Sequence, residues 1–167
     1  MNDLSNICVP CGLCCDGTLI GFVELSSEEL PIMRELMDIE EADGKGFILH
    51  PCNSLSDGCN IYSNRPKQCD IFKCKLLKSF ERKELDFYSA IEIVDLIKQQ
   101  KIDIEKKIAI LQIELQSSSF YFKIVELKKI LHKKTAGNTI NKNYLELLSD
   151  IKQLDIILLK EFGITLD

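Results

Sequence analysis

The sequence predicts a mostly α fold: an irregular, metal-nucleated, cysteine-rich region with short helices, followed by a helical hairpin or bundle. Two observations carry this prediction. All eight cysteines lie at positions 8, 11, 14, 15, 52, 59, 69 and 74, and none follows. From about residue 86 onward, apolar residues recur at three- and four-residue intervals, the period of one helix face. Composition agrees, since 46% hydrophobic and 28% charged residues in 167 suit a folded globular chain rather than a disordered or fibrous one. The chain divides on this basis into a cysteine-cluster metal-binding region, residues 1–80, and a helical region, residues 85–167.

The elements follow in order. Ile7 to Asp16 is too dense in cysteine and turn residues to predict a regular element. Leu19 to Leu25 contains Ile20, Phe22 and Val23 and predicts a short strand broken by Gly21. Ser26 and Glu29 have the spacing of a capping box, but Pro31 comes late for a first turn. A turn at 26–30 and a helix from Pro31 to about Glu41 are therefore predicted. Ile32, Leu36 and Ile39, with Met33 and Met37, supply the helical spacing, and Gly44 and Gly46 end it. Gly46-Phe47-Ile48-Leu49 then leads into the second half of the cysteine cluster. Pro66 predicts the start of a further short helix, because its fixed φ suits a first-turn position.

Asp86 stands where it can cap a long helix carrying Val94, Ile97, Ile104, Ile108, Leu111 and Leu115. Lys101 occupies a seam position in that series, which predicts a bend or local exposure. Ser117-Ser118-Ser119 breaks the pattern, and Ser119 caps a second helix with Phe120, Ile124, Leu127 and Leu131. Thr135 to Asn141, with Gly137, reads as a loop. Asn141 or Asn143 opens a third helix through Tyr144, Leu148, Ile151, Leu154 and Leu158, ending before Gly163. These stripes predict a bundle core, with docking of a protein partner through the helical region as their alternative use.

The chemistry is concentrated in two blocks. The first is Cys8-x-x-Cys11-x-x-Cys14-Cys15. Two intervening residues let a tight turn aim both thiolates at one ion, and Gly12 suits the positive φ that such a turn needs. The second is Cys52, Cys59, Cys69 and Cys74. All eight are the predicted metal ligands, and they are expected to converge in space. The opening residues MNDLSNICVPCGLCC lack a basic stretch before an apolar one, so a reducing, cytoplasmic compartment is expected. There, such density indicates metal rather than disulfides. Soft thiolates select zinc or an iron–sulfur cluster over calcium or magnesium. Adjacent residues point differently, so Cys14 and Cys15 are expected to serve two neighbouring sites, or one to bind while the other packs. Two tetrahedral zinc sites, two cubane clusters, or one cluster with cysteines left over all satisfy the count.

Charge narrows the partners. A net charge of −5 argues against broad nucleic-acid binding, and no apolar run reaches the ~18 residues of a membrane-spanning helix. Residues 65–83 nonetheless hold seven basic residues against Asp70 and Glu81. Compensation of clustered thiolates explains this segment better than nucleic acid, because only Phe72 and Phe80 are at hand for stacking. Tyr62 and Arg65 flank a turn that would set a guanidinium near the thiolates and a phenol against the core. His50 reads as a histidine behind the ligands or at the surface rather than as a ligand. His132, among Lys128, Lys129, Lys133 and Lys134, suits a helix C-terminus. No phosphate loop, His-Glu-x-x-His or dinucleotide glycine fingerprint is present, so no catalytic residue is predicted.

The run Cys59-Asn60-Ile61-Tyr62-Ser63-Asn64-Arg65-Pro66-Lys67-Gln68-Cys69-Asp70-Ile71-Phe72, with Cys52 and the Cys8–Cys15 block, resembles the YkgJ-type CxxCxxCC family of cysteine-cluster proteins. That family typically shows C-x-I-Y-x-x-R-P-x-x-C with an aromatic shortly after, and this chain keeps each part over residues 8–75. The resemblance implies chelation of zinc or iron. A related cysteine motif in flagellin lysine N-methylase implies, as the alternative, an iron–sulfur-dependent enzyme of methyl-transfer type. This chain lacks an evident S-adenosylmethionine site for that reaction.

Overall fold

The computed structural model describes residues 6–56, 58–135 and 142–166. The chain opens with a single helical turn, α1 (Cys8–Cys11), followed by strand β1 (Phe22–Leu25), helix α2 (Leu30–Leu36) and strands β2 (Glu40–Ala42) and β3 (Lys45–Leu49). A 3-10 turn at Tyr62–Asn64 leads to the short helices α3 (Lys67–Ile71) and α4 (Lys75–Glu81). Then come α5 (Phe87–Ile110), α6 (Phe120–Thr135) and α7 (Lys142–Ile157), the last continued by a π-helical turn at Leu158–Phe162. The fold is mostly helical, with one small sheet among the described residues. No helix among them is long and apolar enough to cross a membrane.

Local signals placed the starts of the long helices, although α5 ends at Ile110, short of the expected Leu111 and Leu115. Asp86 caps α5 by accepting from the Ser89 amide at 3.0 Å. Ser119 caps α6 through the Phe122 amide at 3.3 Å. Gly163 ends the final turn in the left-handed conformation, with φ 70°. Ala90, Val94, Ile97, Ile104, Phe120, Ile124, Leu127, Leu131, Leu147, Ile151, Leu154 and Leu158 are buried together between the three helices. The expected loop after Thr135 and the start at Asn141 lie outside the described residues.

Residues 30–49 depart from expectation. The helix predicted from Pro31 to Glu41 stops at Leu36, where Met37 turns extended. Ile32 and Leu36, expected to face the core, are exposed, and Met33 is the buried residue of α2. Glu40–Ala42 and Lys45–Leu49 instead pair as a hairpin, and β3 pairs with β1 on its other side in the order β1-β3-β2. The cause is the turn. Asp43 and Gly44 both take positive φ, 53° and 77°, as a tight two-residue hairpin connection requires. Gly46 is needed for packing rather than for ending a helix. A Cβ there would stand 2.2 Å from a Leu30 methyl group. Val23, Leu25, Met33 and Ile48 bury between sheet and helix as a second, smaller apolar cluster.

The cysteine loops and the helices share the larger core. Ile7, Leu13, Leu19 and Leu76 bury with the residues of α5, α6 and α7. Polar clasps add to this contact. Lys98 donates to the Pro10 carbonyl at 3.0 Å, and Lys101 pairs with Asp16 at 2.9 Å while lying over the Phe120 ring. The lysine on the apolar seam therefore marks a contact, not a bend. Tyr121 donates its amide to the Gly17 carbonyl at 2.7 Å, and the Phe22 and Phe122 rings stack with centroids 6.3 Å apart.

Leu13 is fully buried in this shared core, so removing its isobutyl group leaves a cavity. Leu13→Ala is expected to cost ~2–5 kcal/mol and to lower the melting temperature of the helical circular-dichroism signal itself. An unchanged helical melt would show that the loops and the helices are energetically separate.

Candidate metal centre

Each cysteine is placed by a local device. The first block, expected to be irregular, contains the one-turn helix α1, which puts Cys8 and Cys11 on one face. The turn is closed by the Gly12 amide donating to the Cys8 carbonyl at 3.2 Å, and Gly12 then reverses the chain at φ 68°. Asn6 accepts from the Cys8 amide at 2.9 Å and donates to the Tyr62 hydroxyl at 2.6 Å. Gly17 donates to the Cys14 carbonyl at 3.1 Å, winding Cys14 and Cys15 into a second tight turn.

The second block is tied to the first through the backbone. The Cys52 amide donates to the Cys15 carbonyl at 2.7 Å, and Cys59 bridges back to Leu55. Cys69 rides on α3, which Gln68 fastens to β1 by accepting from the Glu24 amide at 2.7 Å. Cys74 caps α4, its sulfur accepting from the Leu77 amide at 3.5 Å.

All eight cysteines are free and line one cavity of about 110 Å³ together with His50, Tyr62 and Arg65. Among the described residues, no three His, Cys, Asp or Glu side chains already form a ligating cluster. The thiols divide by packing. Cys11, Cys14 and Cys74 lie against the helical core, whereas Cys52 and Cys69 lie against the apolar cluster of the sheet.

Electrostatic coupling divides them in the same way. Burial is the main cause in every case, and it pushes the Cys11 and Cys15 thiols up to about 12 and Cys69 to about 11. Cys14 is held well above its ordinary value, and Cys8, Cys52 and Cys74 are raised too. For Cys8, Cys14, Cys15 and Cys69 the next contribution comes from a neighbouring thiol. Cys14 feels Cys11, Cys74, Cys15 and Cys8, while Cys15 feels Cys59, Cys52 and Cys69. The two groups of four meet at the vicinal pair. Cations oppose the burial. Arg65 favours the thiolates of both Cys8 and Cys69, Lys98 that of Cys11 and Lys78 that of Cys74. The Arg65 guanidinium stacks on Tyr62 at 4.0 Å and pairs with Asp70 at 2.5 Å.

Residues 7–105 match the sequence family CxxCxxCC, described as "Putative zinc- or iron-chelating domain". The chain belongs to the CxxCxxCC family. No curated protein and no solved structure matches it. The CxxCxxCC match takes in every cysteine and runs on into α5, so it includes Lys98 and Lys101, which clasp the first cysteine block. The sequence reading left two participants undervalued. Lys101 was visible as a charge on an apolar seam, and a half-buried ion pair with Asp16 resolves it. His50 is buried at 3% exposure, because it continues the inward alternation of Gly46 and Ile48 along β3. Burial lowers the pKa of the His50 ring and so favours its neutral form.

The raised thiols fix a pH dependence for the metal-free chain. Their protons are held more tightly in the folded state, so that stabilisation is complete below the ordinary thiol value of 9.0. It is lost as pH rises through the folded values of about 11 to 12. The melting temperature of chelator-treated protein is expected to decline steadily above pH 9.0. A profile that stays flat through this range would mean that the thiols reach solvent.

Proposed function

We propose that this chain carries two thiolate metal centres side by side. Cys8, Cys11, Cys14 and Cys74 form one set, and Cys15, Cys52, Cys59 and Cys69 form the other. The observation that carries the reading is the electrostatic coupling, which divides the thiols between the vicinal residues Cys14 and Cys15. The packing of Cys11, Cys14 and Cys74 on one apolar cluster and of Cys52 and Cys69 on the other agrees with it. Consecutive side chains point to different sides of the backbone, so the pair hands one sulfur to each set.

The donor chemistry fits a thiophilic metal. Protonated, buried thiols are poor nucleophiles, which disfavours thiol catalysis. A bound cation takes the place of the protons and repays the burial of the sulfurs. Zinc and iron are both soft enough for an all-sulfur set. A tetrathiolate zinc centre carries a formal charge of about −2, and Arg65, Lys78 and Lys98 stand where they offset it. When bound, the metal would pin the cysteine loops, and iron–sulfur clusters would add electron transfer. The helical region serves to hold the cysteine loops, through the shared core and the two lysine clasps.

Anaerobic purification, metal and sulfide analysis and an absorption spectrum test the reading. Two zinc ions per chain, or two iron–sulfur clusters with broad visible absorption, are expected. Cys14→Ser and Cys15→Ser should each lose one centre and keep the other. Cys74→Ser should match the first variant, and Cys59→Ser the second. Full metal content in both vicinal variants, or complete loss in both, would defeat the two-centre arrangement.

A further inference from the structure

His50 is held from both sides by its backbone. Its amide donates to the Gly21 carbonyl at 3.1 Å, and its carbonyl accepts from the Ser118 hydroxyl at 3.2 Å. Its Cβ packs so closely on Gly17 that a Cβ on that glycine would stand 3.0 Å away. The ring is thereby committed to the cavity that the eight cysteines line. Yet neither Nδ1 nor Nε2 has a hydrogen-bond partner, although both are buried. Buried polar side chains are nearly always partnered, so an orphan imbedded in a cavity of potential ligands points to a missing acceptor or ligand.

The surroundings say which. A neutral imidazole offers one N–H donor, and a protonated thiol is only a weak acceptor. A metal-bound thiolate is an anion and a far better one. Eight thiols already complete two sets of four, so a ninth ligand is not required. The Cys15 backbone comes close enough to favour a protonated ring without reaching hydrogen-bond geometry. Cys52, two residues on from His50, donates its amide to the Cys15 carbonyl at 2.7 Å.

We propose that His50 is a positioning residue of the centre built on Cys15, Cys52, Cys59 and Cys69, donating its ring N–H to a thiolate sulfur of that set. The assignment rests on the two-centre reading above. It makes the histidine a brace on the negative charge of that set, and leaves the set of Cys8, Cys11, Cys14 and Cys74 without such a brace.

Cobalt loading of the full chain tests it, with His50→Leu and His50→Gln compared to the parent. Each variant is expected to bind two cobalt ions with undiminished thiolate-to-cobalt absorption. In His50→Leu one of the two ions should be lost to a competing chelator at about 10–100-fold lower chelator concentration. His50→Gln keeps an N–H donor and should recover most of that affinity. A readout that needs no variant is the ring N–H proton of the parent, expected to become slowly exchanging and to shift on cadmium loading. Loss of one ion with a changed ligand-field spectrum would make His50 a ligand and overturn the assignment. So would Leu and Gln variants that both match the parent, or a ring signal indifferent to loading. A parent chain that binds no cobalt would instead overturn the two-centre reading itself.

Discussion

Eight half-buried thiols lining one cavity, seven of them with pKa values raised by burial, are the constraint on which the arrangement depends. Burial favours the neutral thiol, and thiols crowded together raise one another further, so the charged forms exist only where positive charge compensates them. The chain supplies part of that charge itself. Arg65 acts on one thiol of each group, held in place by its stack on Tyr62 and its pair with Asp70. Lysines 78 and 98 act on Cys74 and Cys11. Of the basic residues from 65 to 83, Arg65 lines the cavity and Lys73 and Lys78 act on its thiols. The remaining charge is what a bound metal would bring.

The scaffold answers a second demand, which is to hold irregular loops against their own conformational entropy. The first block is wound into short hydrogen-bonded turns and pressed by Leu13 and Leu19 into the core of the three long helices. The second block is carried by elements of a different kind. The sheet delivers the chain to His50 and Cys52, and α3 is fastened to β1 through Gln68 and to the start of α2 through the Lys67 amide, which donates to Glu29 at 2.6 Å. Cys11, Cys14 and Cys74 therefore rest on one apolar cluster and Cys52 and Cys69 on the other, and Cys14 and Cys15, one from each group, are joined by a single peptide link. The next peptide, between Cys15 and Asp16, is braced from the other block by the Cys52 amide, which donates to the Cys15 carbonyl.

The best-read features of the sequence were those set by near neighbours. Asp86 and Ser119 as caps, and Gly163 as a stop, each act within one helical turn, where local propensity decides the outcome. The apolar seams of α5, α6 and α7 were legible for the same reason. The hairpin was missed because Met33, Met37 and Ile39 satisfy a helical period as well as a packed sheet edge. The discriminating signal was Asp43-Gly44, a two-residue turn whose positive φ values a continuing helix cannot use. Once β3 is recognised, its alternation buries His50, which a reading without the strand left behind the ligands or at the surface.

By itself the sequence determined the donor set: eight cysteines at chelating spacings, followed by helices with a common apolar face. Spacing within each block is a local property, and short turns translate it directly into neighbouring sulfurs. Only the tertiary structure decided which thiol joins which group. Cys74 comes from the second block yet lies with Cys8, Cys11 and Cys14, while Cys15 comes from the first yet lies with Cys52, Cys59 and Cys69. That exchange depends on how α4 docks on the helical core and how Cys52 bonds to Cys15, contacts between residues far apart in the chain. Sequence spacing carries no record of such contacts, because they form only when separate apolar surfaces bury against each other.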